Sequence, residues 1–438
     1  PQGAAKFDGK NWKKLPNLNP PVLFERVGSS FLNGAYAIDV DCDGEKELVY
    51  NLSKKNGTRL KEVRRVSKKV EKNEKKWEDH QRKDDIFNLP FDPVPHSGAI
   101  RFEDLNADGC KDVVVAYESE GRTFQQAYYA DGVKGWQADT RTFPPILFWS
   151  GKLGSRGKLF AELTDLDGDQ RSDIFLRNST DGALAYRGTP SGWKPDSSFE
   201  PPEPLDSRPE GRPYQYSIVP LKGAAEPHFV YHASQSDPGK LLPKFYSHTV
   251  GEWQVDKDIR IPLNIAQFDR ADLGVRFPDL NGDGFADIAF TIQGQGTQLK
   301  TQVAYLFQPG NQNPWVPDDR YKIPVATFSE DLKDTGSFLV DFSGDGITDV
   351  LHSVLKADNT LKRAAYVNCK FEDSRCKWAI KPDSYWVEVT ASTPDLVDYV
   401  PPVAFAQEGV GSLGVRPIDI NGDGLTDLVV ARDDYDQQ

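Results

Sequence analysis

Apolar residues along this chain gather in short runs parted by polar, turn-forming residues. The stretches Gly274–Asp279 (GVRFPD) and Gly414–Asp419 (GVRPID) each lead into an acidic turn. The stretches Asp287–Thr291 (DIAFT) and Asp427–Ala431 (DLVVA) leave such a turn. A third apolar stretch follows, as in Ala183–Tyr186 and Ala364–Val367, then a Gly-rich or polar turn and a segment carrying Trp. Short strands evenly spaced between turn residues predict an all-β chain. No apolar run reaches the ~18 residues a membrane-crossing helix needs.

The acidic turn recurs with one spacing. Its first copy carries Asp39, Asp41, Asp43 and Glu47, its second Asp104, Asn106, Asp108 and Asp112, and its third Asp165, Asp167, Asp169 and Asp173. The fourth carries Asp279, Asn281, Asp283 and Asp287, the fifth Asp341, Ser343, Asp345 and Asp349, and the sixth Asp419, Asn421, Asp423 and Asp427. These are positions 1, 3, 5 and 9 of the loop. Position 7 is held by Glu45, Cys110, Arg171, Phe285, Ile347 and Leu425, each offering its carbonyl. First positions lie 65, 61, 114, 62 and 78 residues apart, so the long gap should hide one more copy. Tyr216–Tyr231 aligns there with Ala161–Leu176, keeping the apolar frame but placing Pro220, Lys222, Ala224 and His228 where the acids stand.

A second marker has the same period. Trp12, Trp77, Trp136, Trp193, Trp253, Trp315 and Trp378 recur at intervals of 65, 59, 57, 60, 62 and 63, alternating with the loops. Seven units of four strands suit a radial architecture. The expected fold is an all-β, seven-bladed β-propeller with four-stranded blades in a single domain, 1–438. Residues 1–20 and 411–438 would together complete one blade, with the others near 21–90, 91–145, 146–203, 204–264, 265–325 and 326–400. Pairing of the terminal strands would close the ring and leave no open sheet edge. An open solenoid would need caps, which are not seen.

Acidic or amide side chains at positions 1, 3, 5 and 9 and a carbonyl at position 7 suit a hard cation that takes six to eight oxygens, such as Ca2+. Gly at position 6 permits the sharp turn, and Gln170 breaks that rule in the third loop. An EF-hand is excluded because strands flank the loop and no Glu stands at position 12. Asp, Asn and Gly also build tight turns without any metal. Charge favours the metal: the formal charge is −13, the six loops place 20 carboxylates at ligand positions, and six Ca2+ would bring the chain to about −1. The acidity argues against a nucleic-acid partner.

The four cysteines divide in two. Cys369 and Cys376 flank a short polar stretch and could bridge a hairpin, which would imply an oxidising compartment. Cys42 and Cys110, inside two loops, are expected to be unpaired. No CxxC motif occurs, so zinc is not expected. The start Pro1–Ala5 has neither Met nor an apolar leader, so the sequence reads as a mature chain or a piece excised from a longer one.

The Asp-x-Asp/Asn-x-Asp-Gly-x-x-Asp loop, repeated along nearly the whole chain, resembles the FG-GAP or VCBS repeat family, which includes the propeller heads of integrin α chains. It is also similar to propellers of bacterial Rhs and toxin-complex proteins. The resemblance implies structural calcium at the six complete loops and none at the copy near Tyr216. Ligand recognition by integrins does not carry over.

Three further features remain. A basic island between Lys54 and Lys83 is either a solvated hairpin or a dock for an acidic glycan, phospholipid or protein. His228, His232 and His248 with Tyr246 either line a site or mark a decayed loop. The tryptophans are expected to pack within blades rather than stack on sugars. No nucleophile elbow, phosphate loop or HExxH motif is found. The leading expectation is a non-enzymatic recognition or adhesion module for protein or glycan, placed outside the cell, on its surface or in the periplasm. The alternatives are a structural shell within a larger toxin-like polypeptide and a propeller enzyme such as a polysaccharide lyase.

Overall fold

The computed structural model describes residues 2–7, 12–14, 35–53, 59–69, 74–79, 89–91, 99–139, 143–151, 158–159, 161–178, 182–202, 215–219, 228–232, 244–249, 252–256, 259, 276–293, 299–311, 314–329, 335–369, 383–390, 400–408, 410–420 and 424–431. Asn421, Asp423, Cys376, Pro220, Lys222, Ala224, His80 and His96 lie outside them.

The strands fall into separate antiparallel sheets that follow one another along the chain. Sheet 1 holds Ala35–Ile38, Glu47–Ser53, Arg59–Lys69 and Glu74–Asp79. Sheet 2 holds Ile100–Glu103, Asp112–Ser119, Arg122–Asp131 and Gly135–Asp139. Sheet 3 holds Glu162–Thr164, Asp173–Asn178, Gly182–Arg187 and Lys194–Pro195. Sheet 4 holds Gln215–Val219, His228–His232, Lys244–Thr249 and Glu252–Val255. Sheet 5 holds Ile288–Gln293, Leu299–Phe307 and Trp315–Pro317, with Arg276 bridged to Ala289 ahead of them. Sheet 6 holds Ser337–Val340, Asp349–Leu355, Leu361–Asn368 and Trp386–Glu388. Sheet 7 joins the two ends of the chain: Val415–Ile418 and Asp427–Ala431 pair with Gln2–Phe7 and Trp12–Lys14, with Gln2 opposite Ala431 and Ala5 opposite Leu428.

The second strand of each sheet is apolar on both faces, and strand alternation sends successive side chains to opposite neighbours. Val113 and Val115 pack with Val40 and Val49 of sheet 1, whereas Val114 and Ala116 pack with Leu163 and Ile174 of sheet 3. Ile288 and Phe290 meet Val230 and Phe245 of sheet 4, and Ala289 meets Val350 of sheet 6. Leu351 meets Leu428 and Val430 of sheet 7, and Phe175 of sheet 3 packs near Ile218 of sheet 4. Sheets thus stack face to face in chain order, and the backbone bond from Lys46 N to Ile420 O (3.4 Å) ties sheet 7 back to sheet 1. This is a β-propeller arrangement.

Three segments between sheets add a short parallel pairing that the sequence did not suggest. Trp149–Gly151 runs along Tyr117–Ser119, Phe328–Ser329 along Ile292–Gln293, and Ala406–Gln407 along Val354–Leu355. The preceding amides, Phe148, Thr327 and Phe405, bond to the carbonyls of Ala116, Thr291 and Ser353 at 2.9 Å. Three residues ahead of each amide stands a proline, Pro145, Pro324 or Pro402, whose missing N–H suits the exit from a ladder.

Cys42 and Cys110 form a disulfide, correcting the expectation that they are unpaired. Their sequence separation of 68 is close to one repeat, which sets the two loops side by side on neighbouring sheets. Cys369 is also disulfide-bonded. Closing a loop of that length in the unfolded chain is worth about 4 kcal/mol in the chain-entropy account. The double substitution of Cys42 and Cys110 by Ser is therefore expected to lower the urea midpoint by that much stability, measured at constant calcium.

Candidate functional site

The six acidic loops all join the first strand of a sheet to its second, so they sit at one end of the stack. Each loop wraps its own backbone on its side chains. Oδ2 of the first acid accepts the amide of position 6 at 2.8–2.9 Å in every loop, from Asp39 to Gly44 through Asp419 to Gly424. Oδ1 of the fifth-position acid accepts the amide of position 7 at 2.8–2.9 Å, from Asp43, Asp108, Asp169, Asp283 and Asp345. These bonds curl the chain so that the carboxylates converge.

The curl needs two left-handed residues. Position 4 has φ of 62° to 76° at Cys42, Ala107, Gly168, Gly282 and Gly344. Position 6 has φ of 70° to 86° at Gly44, Gly109, Gln170, Gly284, Gly346 and Gly424. Gln170 therefore holds the backbone that glycine favours, at a cost of about 1–2 kcal/mol for a side-chain residue. Gln170→Gly is expected to stabilise the fold by up to about 1 kcal/mol, read as a higher melting temperature, after the glycine's own unfolded-state entropy is set against the relief.

The ninth-position acid is a different kind of residue. Glu47, Asp112, Asp173, Asp287, Asp349 and Asp427 are all buried. One carboxylate oxygen accepts the amide of the loop's second residue: Val40, Leu105, Leu166, Leu280 and Ile420 at 2.8–3.2 Å. The fifth loop shifts this by one residue, to Ser343 at 3.0 Å. The other oxygen reaches the end of the third strand, accepting Ala130, Gly188, Phe307 and Asn368 amides at 2.7–2.8 Å. Position 9 is thus a brace across the sheet as well as a wall of the loop. Burial pushes its carboxyl up, to about 8 in Glu47 and about 7 in Asp112, Asp173 and Asp287, against the pull of those amides. A neighbouring cation would reverse that push.

Among the described residues, two loops bring three carboxylates together: Asp39, Asp41 and Asp43, and Asp165, Asp167 and Asp173, each set with oxygens within 4.8 Å of one another. Oxygens bound 2.3–2.6 Å from one ion stand up to about 5 Å apart, so a calcium-sized cation fits these sets. In the second and fourth loops the Asn at position 3 donates its amide to the acid at position 5, Asn106 to Asp108 at 2.8 Å and Asn281 to Asp283 at 2.9 Å. Turning that amide over would present its oxygen instead. At positions 7, the side chains of Phe285, Ile347 and Leu425 belong to apolar clusters or their margins, so only their carbonyls serve the loop.

The loops are joined to one another, which sequence reasoning missed. Ser172 N bonds to Asp104 O at 2.9 Å, Thr348 N to Asp279 O at 3.1 Å, and Thr426 Oγ1 to Asp341 O at 3.0 Å. Each donor is position 8 of one loop and each acceptor position 1 of the loop before. Two of the donors are backbone amides, which any residue but proline supplies, so only the Thr426 hydroxyl carried a side-chain signal. The disulfide Cys42–Cys110 makes the corresponding joint between the first and second loops. Gly132, in the turn after the third strand of sheet 2, crowds the same place: a Cβ there would lie 2.6 Å from Asp41 O.

The blade without acids spends its histidines on packing. His228, at the ninth position, is buried with its Nε2 3.8 Å from Asp256 Oδ2. His248 stacks on Phe199 at 4.1 Å, meets Trp253 edge-on, and lies 3.0 Å from Ser198 O. Tyr246 is buried against Phe229, and the side chain of His232 is outside the described residues. Trp136 and Trp315 are buried in clusters between sheets, as packing residues. Trp193 donates Nε1 to Ser172 O at 2.9 Å.

No protein family and no curated protein matches the sequence. Among solved structures the chain is similar to a lectin of Agrocybe aegerita described as recognising non-reducing terminal N-acetylglucosamine, with 13% identity, 82% of each chain covered and a TM-score of 0.51. It is also aligned with the Tc holotoxin pore of Photorhabdus luminescens at 16% identity, over 80% of this chain and 15% of that one, with a TM-score of 0.39. At such identity the likeness to the lectin bears on the fold alone, and it agrees with the propeller arrangement.

Proposed function

We propose that the chain is a seven-bladed, calcium-stabilised recognition propeller of the FG-GAP or VCBS type, acting outside the reducing cytosol on a glycan or protein. The observation that carries the reading is the set of six loops with one ligand spacing, one backbone curl and one end of the stack. Each offers carboxylates that a hard dication would hold together. Seven successive sheets, one of them closed by both chain ends, support the blade count. The disulfide between the first two loops supports an oxidising compartment. Calcium here holds the scaffold, and recognition falls to surfaces the ring displays.

The test is a glycan array probed with the full chain in millimolar calcium and again with chelator, terminal N-acetylglucosamine included among the sugars. Selective, calcium-dependent signal supports a lectin-like module. A blank array in calcium removes the glycan half of the reading, and pull-downs with surface proteins then decide the other half.

A further inference from the structure

The third and fourth strands of sheet 1 extend past their neighbours. Leu48 is opposite Arg64, so Arg65 stands level with Glu47, where the second strand begins. The ladder with the fourth strand nevertheless continues for four more residues, to Lys69 opposite Glu74. In the other sheets the same ladder runs none to two residues past the ninth-position acid or its His equivalent: two at Asp131 and Thr249, one at Phe307, Asn368 and Phe7, none at Arg187. Two extra residues per strand lengthen the ribbon by about 7 Å. The extension lies at the acidic-loop end, because Glu47 closes the first loop.

The register sorts the charges on this ribbon. At its root opposite signs face each other, Arg64 with Asp79 and Arg65 with Glu78. On the extension Lys68 is directly opposite Lys75, Ser67 is opposite Lys76, and the last rung sets Lys69 opposite Glu74. Like charges directly opposed weaken a β ladder. The four rungs past Arg65 carry Lys68, Lys69, Lys75 and Lys76 against one acid, Glu74, so this end of the ribbon is net positive in a chain of formal charge −13.

We infer that this ribbon, through Lys68, Lys69, Lys75 and Lys76, docks a linear acidic polysaccharide bearing carboxylates or sulfates. The inference rests on the recognition reading above and names its ligand class and surface. Charge complementarity gives the sign of the partner. The Cys42–Cys110 bridge places the chain where disulfides persist and nucleic acid is not the ordinary polyanion. A flexible chain can follow a ribbon two strands wide along its length, whereas a planar anionic surface meets only its projecting end.

The test measures binding of the full chain, in calcium, to immobilised heparin, hyaluronate and neutral dextran, and to vesicles with and without anionic lipid. The wild type is expected to bind the acidic polymers and not dextran, more weakly as salt rises. Lys68→Gln with Lys75→Gln is expected to cut that affinity at least tenfold while the calcium-loaded melting temperature stays level or rises. Failure of the wild type to bind either acidic polymer overturns the inference, as does equal or tighter binding to anionic vesicles. Unchanged affinity in the double variant overturns the surface assignment but leaves the recognition reading standing. A double variant that loses its calcium-dependent thermal gain would show the lysines serving the loops instead, and would also overturn it.

Discussion

Removal of calcium with excess chelator is expected to lower the melting temperature of this chain by ~10 °C or more. A site bathed in free metal at a hundred times its Kd contributes about 2.7 kcal/mol of stability. Several such loops act on one cooperative ring. For a domain of a few hundred residues, 1 kcal/mol moves the melting temperature by roughly 1–2 °C, extrapolating the dependence on size. Without metal, the carboxylates of Asp39, Asp41 and Asp43, held within 4.8 Å of one another, repel. Magnesium should restore less than calcium, since it demands near-octahedral geometry and sheds water reluctantly. An identical melting curve with and without chelator would reduce the loops to turn-forming devices.

The second large effect separates the two kinds of acid in a loop. Asp287 is fully buried and accepts amides from Leu280 and Phe307, both at 2.8 Å. Asp287→Ala orphans two buried donors, each worth about 1–3 kcal/mol, so a loss of about 2–6 kcal/mol is expected even in chelator, where no metal is held. Asp283 is exposed, and its bonds stay within the loop, to Phe285 N and Asn281 Nδ2. Asp283→Ala should leave stability in chelator within about 1 kcal/mol and should shrink the gain on adding calcium. Denaturant melts of both variants, each with calcium and with chelator, read the contrast. Equal stability of the two variants in chelator would refute the division of labour.

The loops were legible because acids and tryptophans shared one period of about 60 residues, though Trp378 lies outside the described residues and the fourth strand of sheet 6 carries Trp386 instead. Terminal pairing was legible because the chain begins with a third strand and ends with a second. What the sequence hid were relations between repeats. The Cys42–Cys110 bridge looked like two isolated thiols until neighbouring loops were set one repeat apart. The position-8 amides of Ser172 and Thr348 bond to a carbonyl in the previous loop, and a backbone amide leaves no mark on residue type. Position 9 read as one more ligand, yet its reach to Phe307 or Asn368 shows a structural duty that ligand spacing cannot reveal. Prolines 145, 324 and 402 marked the parallel joints, but a lone Pro before an apolar run carries little information by itself.

The meeting of the two chain ends in sheet 7 has a mechanical consequence. Gln2 faces Ala431 at the extremity of an antiparallel ladder whose next rungs are Gly3 with Val430 and Ala4 with Val429. Tension applied between the two ends therefore peels that ladder one rung at a time, rather than shearing all its hydrogen bonds at once. The seam between the first and last described strands is thus the place a pull unzips. A short-range force at that seam would release the first and last described strands while the other described sheets still stand.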